Sequence, residues 1–370
     1  MKQYRQYLGR TAGMAERQHD ALLPQRKEDG KMKAMVLEKI SPVEEKPLRL
    51  VELPKPVPGG GQILVKVSAC GVCHTELDEI EGRAAPSKLP IILGHEIVGR
   101  VEDLGPEASR FKEGDRVGIA WINWACGKCA FCLNGEENLC DTAKWTGKDA
   151  HGGYAQYTVV SEDFAYPIPE EFTDVKAAPL LCAGVIGYRA LRLSEMEDGE
   201  ILGLYGFGAS AHIVIQVAKH KYPGGKVFVF TRPHQKEHRD LARRLGADWI
   251  GATGDTPPEK LDCAIDFTPV GEPVRQALRN LQKGGRLVIN AIRKTTPIPE
   301  LDYTEHLWYE KEVKSVANVT RRDAQEFLPL AAEIPIVPET QEFKLEEANE
   351  ALILLKEGKI RGAGVLKLTD

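Results

Sequence analysis

The chain has 370 residues, 42% hydrophobic and 28% charged, with 49 Lys and Arg against 54 Asp and Glu. That length supports two domains with a sizeable core, and no apolar run reaches the roughly 18 residues of a membrane-spanning helix. A net charge of -5 excludes a general attraction to nucleic acid or anionic lipid, which leaves a small molecule as the expected partner.

Residues 1–31 are polar, with seven Lys or Arg, four acids and no apolar core, so they read as a disordered extension and not as a secretory signal. The protein is accordingly expected to be cytoplasmic. From Met32, strand-like runs such as AMVLEKI and QILVKVSAC alternate with turns such as PKPVPGGG, which predicts a β-rich unit over 32–183. From Gly184 the rhythm changes to ILGLYGFG, AHIVIQVAKH, KVFVFT, KEHRDLARRLGA, CAIDFT, VRQALRNL and GRLVINA. Strands alternating with helices at this spacing predict a parallel sheet with crossover helices over 184–317, so the class is α/β. The remainder, 318–370, predicts helices around Ala324 to Ala332 and from Leu345 to Glu357, then a strand in AGVLKL that returns to the β-rich unit.

Eight cysteines cluster instead of spreading as a disulfide framework would. Cys126, Cys129, Cys132 and Cys140 fall within fifteen residues, and four soft thiolates on a short loop suit a closed, structural zinc site. An iron–sulfur cluster is the rival occupant. Cys70 and Cys263 read as ordinary buried thiols.

The run ILGLYGFGASA sets Gly206, Gly208 and Ala211 between a strand and a helix as GxGxxA. In that setting the first Gly permits the turn, the second lets backbone approach a pyrophosphate, and the small third residue allows close helix packing. Where NAD sites usually carry an acid at the end of the next strand, this chain has Thr231-Arg232, with His234 and Lys236 nearby. A hydroxyl and a guanidinium suit a 2′-phosphate, so NADP(H) is favoured over NAD(H); Arg232 stacked on adenine would tolerate NAD. His212 reads as a helix-start packing residue. Trp121-Ile122-Asn123-Trp124 reads as a substrate-pocket wall or as the core of a hairpin.

Cys73-His74-Thr75-Glu76 follows a strand, His95-Glu96 begins 22 residues after Cys73, and Cys182 precedes the nucleotide half. Together, and in this order around the four-cysteine loop, these pieces resemble the zinc-dependent medium-chain alcohol dehydrogenases. The likeness runs from Met32 to Leu368, and GFGASAH, SVANVTRRD, AAEIPI and LEEANEAL resemble bacterial proteins of the cinnamyl-alcohol-dehydrogenase-like branch. The resemblance implies a GroES-like catalytic domain (32–183 and 318–370), a Rossmann domain (184–317) and an active site in the cleft between them. It implies two zinc ions per chain, the catalytic one held by Cys73, His95 and Cys182 with one position open. Thr75 would take the alcohol proton, Glu76 would orient His95, Glu96 would enter the zinc shell transiently, and His74 and Arg361 would approach the cofactor phosphates.

Relatives often carry His where this chain has Asp78, which reads either as a carboxylate proton relay or as a solvated surface residue. The implied activity is hydride transfer between a nicotinamide cofactor and a primary aromatic or medium aliphatic alcohol or aldehyde, by a homo-oligomer, dimer or tetramer. The alternatives are a polyol or sugar dehydrogenase of the same superfamily and a non-catalytic NADPH-binding thiol sensor.

Overall fold

The computed structural model describes residues 30–336, 338–360 and 362–368. Of the expected extension 1–31, residues 1–29 lie outside the described residues, as does Arg361; Lys31 already opens the first strand, Lys31–Leu37. That strand pairs antiparallel with Leu48–Pro54 and with Ile91–Ile92.

The longest strand, Gln62–Val72, alternates apolar and polar from Val65 to Ala69 and is wholly buried from there to its end. It lies inside a seven-stranded sheet ordered Ala165–Pro167, Arg116–Ile119, Ile97–Leu104, Gln62–Val72, Ala363–Lys367, Thr340–Lys344, with Tyr157–Ser161 also pairing to it. Most of these pairings are antiparallel, and the C-terminal strand joins the sheet beside Val72 and Gly71. The carboxyl end of Gln62–Val72 therefore points its next residue, Cys73, out of a rigid, buried ladder.

The second sheet has six strands, all parallel: Trp249–Gly251, Lys226–Phe230, Ile201–Tyr205, Leu261–Asp266, Leu281–Ile289 and Glu312–Ser315. Counted along the chain this is the order 3-2-1-4-5-6 of a doubly wound nucleotide-binding sheet, whose ligand crevice lies where the order reverses. Ile201–Tyr205 is buried at all five positions, as a strand covered by helices on both faces must be. The helices Ala211–Lys221, Lys236–Arg244 and Glu272–Asn280 connect its strands.

The helix expected near Ala324 runs Arg321–Glu333, started by a capping box in which Thr320 and Asp323 satisfy each other's backbone N–H groups. The one expected over Leu345 to Glu357 begins as a 3₁₀ turn, Leu345–Glu347, and continues as Ala348–Lys356. Among the described residues no helix is long and apolar enough to cross a membrane.

Candidate active site

Cys73 is extended (φ -122, ψ 163) and caps the helix His74–Ile80. Glu76, one turn in, is fully buried and holds two groups at once. Its Oε2 accepts the Cys73 N–H at 2.9 Å, and its Oε1 lies 2.6 Å from His95 Nδ1. A carboxylate there keeps the proton on Nδ1 and turns the Nε2 lone pair the other way. His95 Nε2 is buried and has no hydrogen-bond partner.

That orphaned nitrogen faces two sulfurs. Cys73 Sγ and Cys182 Sγ are 3.9 Å apart, and the ligating atoms of Cys73, His95, Glu96 and Cys182 all lie within 4.8 Å of one another. The hydrogen bond from Cys182 holds the Cys73 thiol well below the usual thiol range, and the same contact pushes Cys182 well above it. Two sulfurs and an imidazole nitrogen converging at one point make a set of soft and borderline donors that suits zinc. Glu96 owes its place to Gly71: a Cβ there would stand 1.9 Å from Glu96 Oε2. Thr75 Oγ1 lies 3.6 Å from Cys73 Sγ, and His74 is exposed at the first position of the helix. Replacing Glu76 with alanine is expected to weaken zinc binding about 10- to 100-fold, because both first ligands lose their brace; competition with a chromogenic chelator measures it.

Asp78 is not a solvated residue. It is buried, its Oδ1 accepting from Arg83 Nε at 2.5 Å and its Oδ2 from Arg293 Nε at 3.0 Å. One residue further, Glu79 is fully buried with neither carboxylate oxygen hydrogen-bonded, and burial pushes its carboxyl well above the usual range. Sequence reasoning missed Glu79, since the polar run around it reads as a solvated face. Trp121 lies beside His95, its ring 5.9 Å from that of His95 and 5.1 Å from that of Trp145. The next residues, Ile122–Trp124, pair with Lys144–Trp145, so the aromatic run serves both as a hairpin and as a wall beside His95.

The four-cysteine loop brings Cys126, Cys129, Cys132 and Cys140 within 4.8 Å of one another. Little apolar core lies beneath it, since Leu133 is 73% exposed and Phe131 40%. The Thr142 hydroxyl lowers Cys140 to about 6 while burial pushes Cys132 up to about 12. Two residues tie the loop to distant chain: Asn138 Nδ2 donates to Ala317 O at 2.7 Å, and Glu137 Oε1 accepts from Arg321 N and Nε.

At the crevice of the parallel sheet, Gly206 has φ +83 and donates its N–H to Phe230 O at 2.8 Å. A Cβ on Gly208 would meet nothing within 4 Å, while Ala211 is fully buried at the start of its helix. Gly208→Val is therefore expected to leave the unfolding midpoint unchanged and to weaken dinucleotide binding about tenfold or more, as an extra side chain in a packed ligand site does; cofactor fluorescence titration measures it. His212 Nδ1 approaches Gly208 O at 3.2 Å, and burial lowers its pKa. Thr231 is buried with its hydroxyl donated to Gln235 Oε1 at 2.8 Å, so that proton is already used. Arg232, His234 and Lys236 are exposed, and among the described residues none of them has an acidic partner within 4 Å.

A doubly wound nucleotide sheet together with a Cys, His, Cys cluster built on a buried His95 defines an oxidoreductase that works with a dinucleotide. Residues 59–170 match the family described as "Alcohol dehydrogenase GroES-like domain". A probable alcohol dehydrogenase of Mycobacterium tuberculosis is 44% identical over 340 residues, covering 90% of this chain and 97% of that one. An alcohol dehydrogenase of Geobacillus stearothermophilus is 35% identical over 349 residues, covering 91% of this chain and all of the other. Among solved structures, a cinnamyl alcohol dehydrogenase of Sorghum bicolor superposes with a TM-score of 0.79 at 27% identity, over 91% of this chain and 98% of its own. The chain belongs to the zinc-dependent medium-chain alcohol dehydrogenase family.

Proposed function

We propose that this alcohol dehydrogenase binds two zinc ions and reduces primary aromatic or medium aliphatic aldehydes with NADPH in preference to NADH. The catalytic unit is 32–183 with 318–370, and the dinucleotide unit is 184–317. The observation that carries the reading is the buried, unpartnered Nε2 of His95 among the sulfurs of Cys73 and Cys182. These residues fit a zinc ion, with Glu96 as a transient fourth donor; Cys126, Cys129, Cys132 and Cys140 fit a second, structural one. Bound there, zinc supplies Lewis acidity, which lowers the pKa of an alcohol and polarises a carbonyl.

The chain's own residues do the rest. Glu76 holds the tautomer and angle of His95 and the backbone of Cys73. Thr75 passes the hydroxyl proton; its place beside Cys73 Sγ supports this. Trp121 supplies an apolar wall that excludes water from the reacting carbon. Gly206, Gly208 and Ala211 seat the pyrophosphate at a helix N-terminus, with His74 and Arg361 as further phosphate contacts. Arg232, assisted by Lys236 and His234, receives the 2′-phosphate, which its exposed and unpaired guanidinium supports. Thr231 contributes through its packing and as an acceptor for a ribose hydroxyl, not for the phosphate, because its proton is donated to Gln235.

The test is initial-rate kinetics with cinnamaldehyde, benzaldehyde and hexanal, using NADPH and NADH. A charge-assisted hydrogen bond contributes about 1.5–3 kcal/mol, so Arg232→Ala is expected to raise KM for NADPH about 10- to 100-fold while leaving KM for NADH unchanged. Equal use of the two cofactors, or an equal effect of the substitution on both, would contradict the cofactor assignment.

A further inference from the structure

The geometry points to Arg293 as a positioning residue: by clasping Asp78 it fixes the separation between the helix that follows Cys73 and the carboxyl edge of the parallel sheet. It thereby sets the reach over which hydride is transferred. The inference rests on the proposed reading that the zinc site and the nicotinamide meet in this cleft.

Three observations carry it. First, both oxygens of Asp78 are taken, Oδ1 by Arg83 and Oδ2 by Arg293, and the carboxylate is only 3% exposed. The Arg83 bond is local and orients the carboxylate, the Arg293 bond spans the two segments, and a carboxylate so engaged must break one of them to pass a proton. Second, the partners are 215 residues apart in sequence and belong to different sheets' surroundings. Arg83 lies just beyond the helix His74–Ile80, whereas Arg293 lies on the segment leaving Leu281–Ile289 at the nucleotide crevice.

Third, Arg293 stands on a fixed mount. Asn290 N–H donates to Asp266 O at 2.8 Å, and Lys294 Nζ reaches Asp266 Oδ2 at 2.5 Å and Thr268 O at 2.6 Å. Thr295 N–H donates to Pro269 O at 2.6 Å, and Asp266 itself is fully buried. Among the described residues the other ion pairs from 184–317 to the catalytic segments go to the helix Arg321–Glu333, where Arg189 and Arg192 meet Asp323 and His220 meets Glu333. Among the described residues Asp78–Arg293 is the ion pair that fastens the helix capped by Cys73 to the crevice.

Arg293→Met, Asp78→Asn and the double variant test this in the zinc-loaded enzyme. Hydride transfer is sensitive to displacement, with about 1 Å costing as much as 100-fold. Each single variant is expected to lower kcat about tenfold, with an enlarged primary deuterium isotope effect and KM for the aldehyde within twofold. Residues that act as one unit are not additive, so the double variant should lose no more than the worse single. Arg293→Lys should restore part of the rate, and the pH midpoint of kcat should stay at the wild-type value throughout.

Multiplicative losses, a shifted pH midpoint in Asp78→Asn alone, or an unchanged kcat and isotope effect in Arg293→Met would each overturn the proposal. Hydrogen exchange of residues 74–80 and 290–296 separates its failure from that of the functional reading, since it needs no turnover. If the clasp operates, either substitution speeds exchange in both segments; if only the substituted segment changes, the clasp is refuted whatever the enzyme's activity.

Discussion

His95→Ala is expected to lower kcat/KM for aldehyde reduction by about 10³-fold or more and to halve the zinc content while the four-cysteine site stays loaded. His95 supplies the single nitrogen of its cluster, and that nitrogen is buried without another partner. A Lewis acid at a reacting carbonyl contributes several kcal/mol, and each 1.36 kcal/mol is tenfold in rate. Its loss is expected to leave intact the cofactor binding proposed for the glycine turn. Steady-state kinetics with metal analysis and cofactor titration on the same preparation checks all three parts, and a variant that keeps wild-type kcat/KM would refute the role of His95.

Asp323→Ala is expected to destabilise the protein by about 3–5 kcal/mol, because it leaves buried charge unpaired. Asp323 is fully buried and accepts from Arg189 Nη1 at 2.9 Å, Arg192 Nη2 at 2.6 Å, and the Thr320 N–H and hydroxyl at 2.8 and 2.7 Å. Arg192 is 29% exposed and recovers some hydration, which pulls the cost toward the lower figure. The damage should spread, since Arg189 also touches Asn138 of the four-cysteine loop, and Arg321 on the same helix pairs with Glu137 there. A urea titration is the measurement, with faster proteolysis between Cys126 and Cys140 as its local sign. A loss of unfolding free energy below about 0.5 kcal/mol would show that the two arginines re-pair with water at no cost.

What could be read from sequence followed from how far its signal reaches along the chain. The glycine turn and the four-cysteine loop are short-range patterns, and the strand–helix rhythm from Gly184 predicts a parallel sheet, which the structure has. Cys73, His95 and Cys182 are scattered, and only their order resembling a known family brought them together before the geometry did. Asp78 shows the limit. Its two readings were relay or surface, and neither included Arg293, because an ion pair across 215 residues leaves no local trace.

The same holds for Lys294 with Asp266 and for Arg189 with Asp323. Glu79 failed differently: in a run of acids nothing marks the one that turns inward, and only burial distinguishes it. The start of the helix at Arg321 was legible in principle, since Thr320 followed three residues later by Asp323 is a capping pattern. The polar Arg321-Arg322-Asp323 that follows Thr320 hides this start and sets the expected one three residues too far along.

Zinc content per chain of the purified protein, measured by mass spectrometry of the metal after exhaustive buffer exchange, tests the central claim most directly. The account predicts two, falling to one in His95→Ala and to one in Cys140→Ser, the remaining ion belonging to the other site in each case. A single zinc in the wild-type protein, unaffected by His95→Ala and lost in Cys140→Ser, would leave the four-cysteine site standing and contradict a zinc held by Cys73, His95 and Cys182.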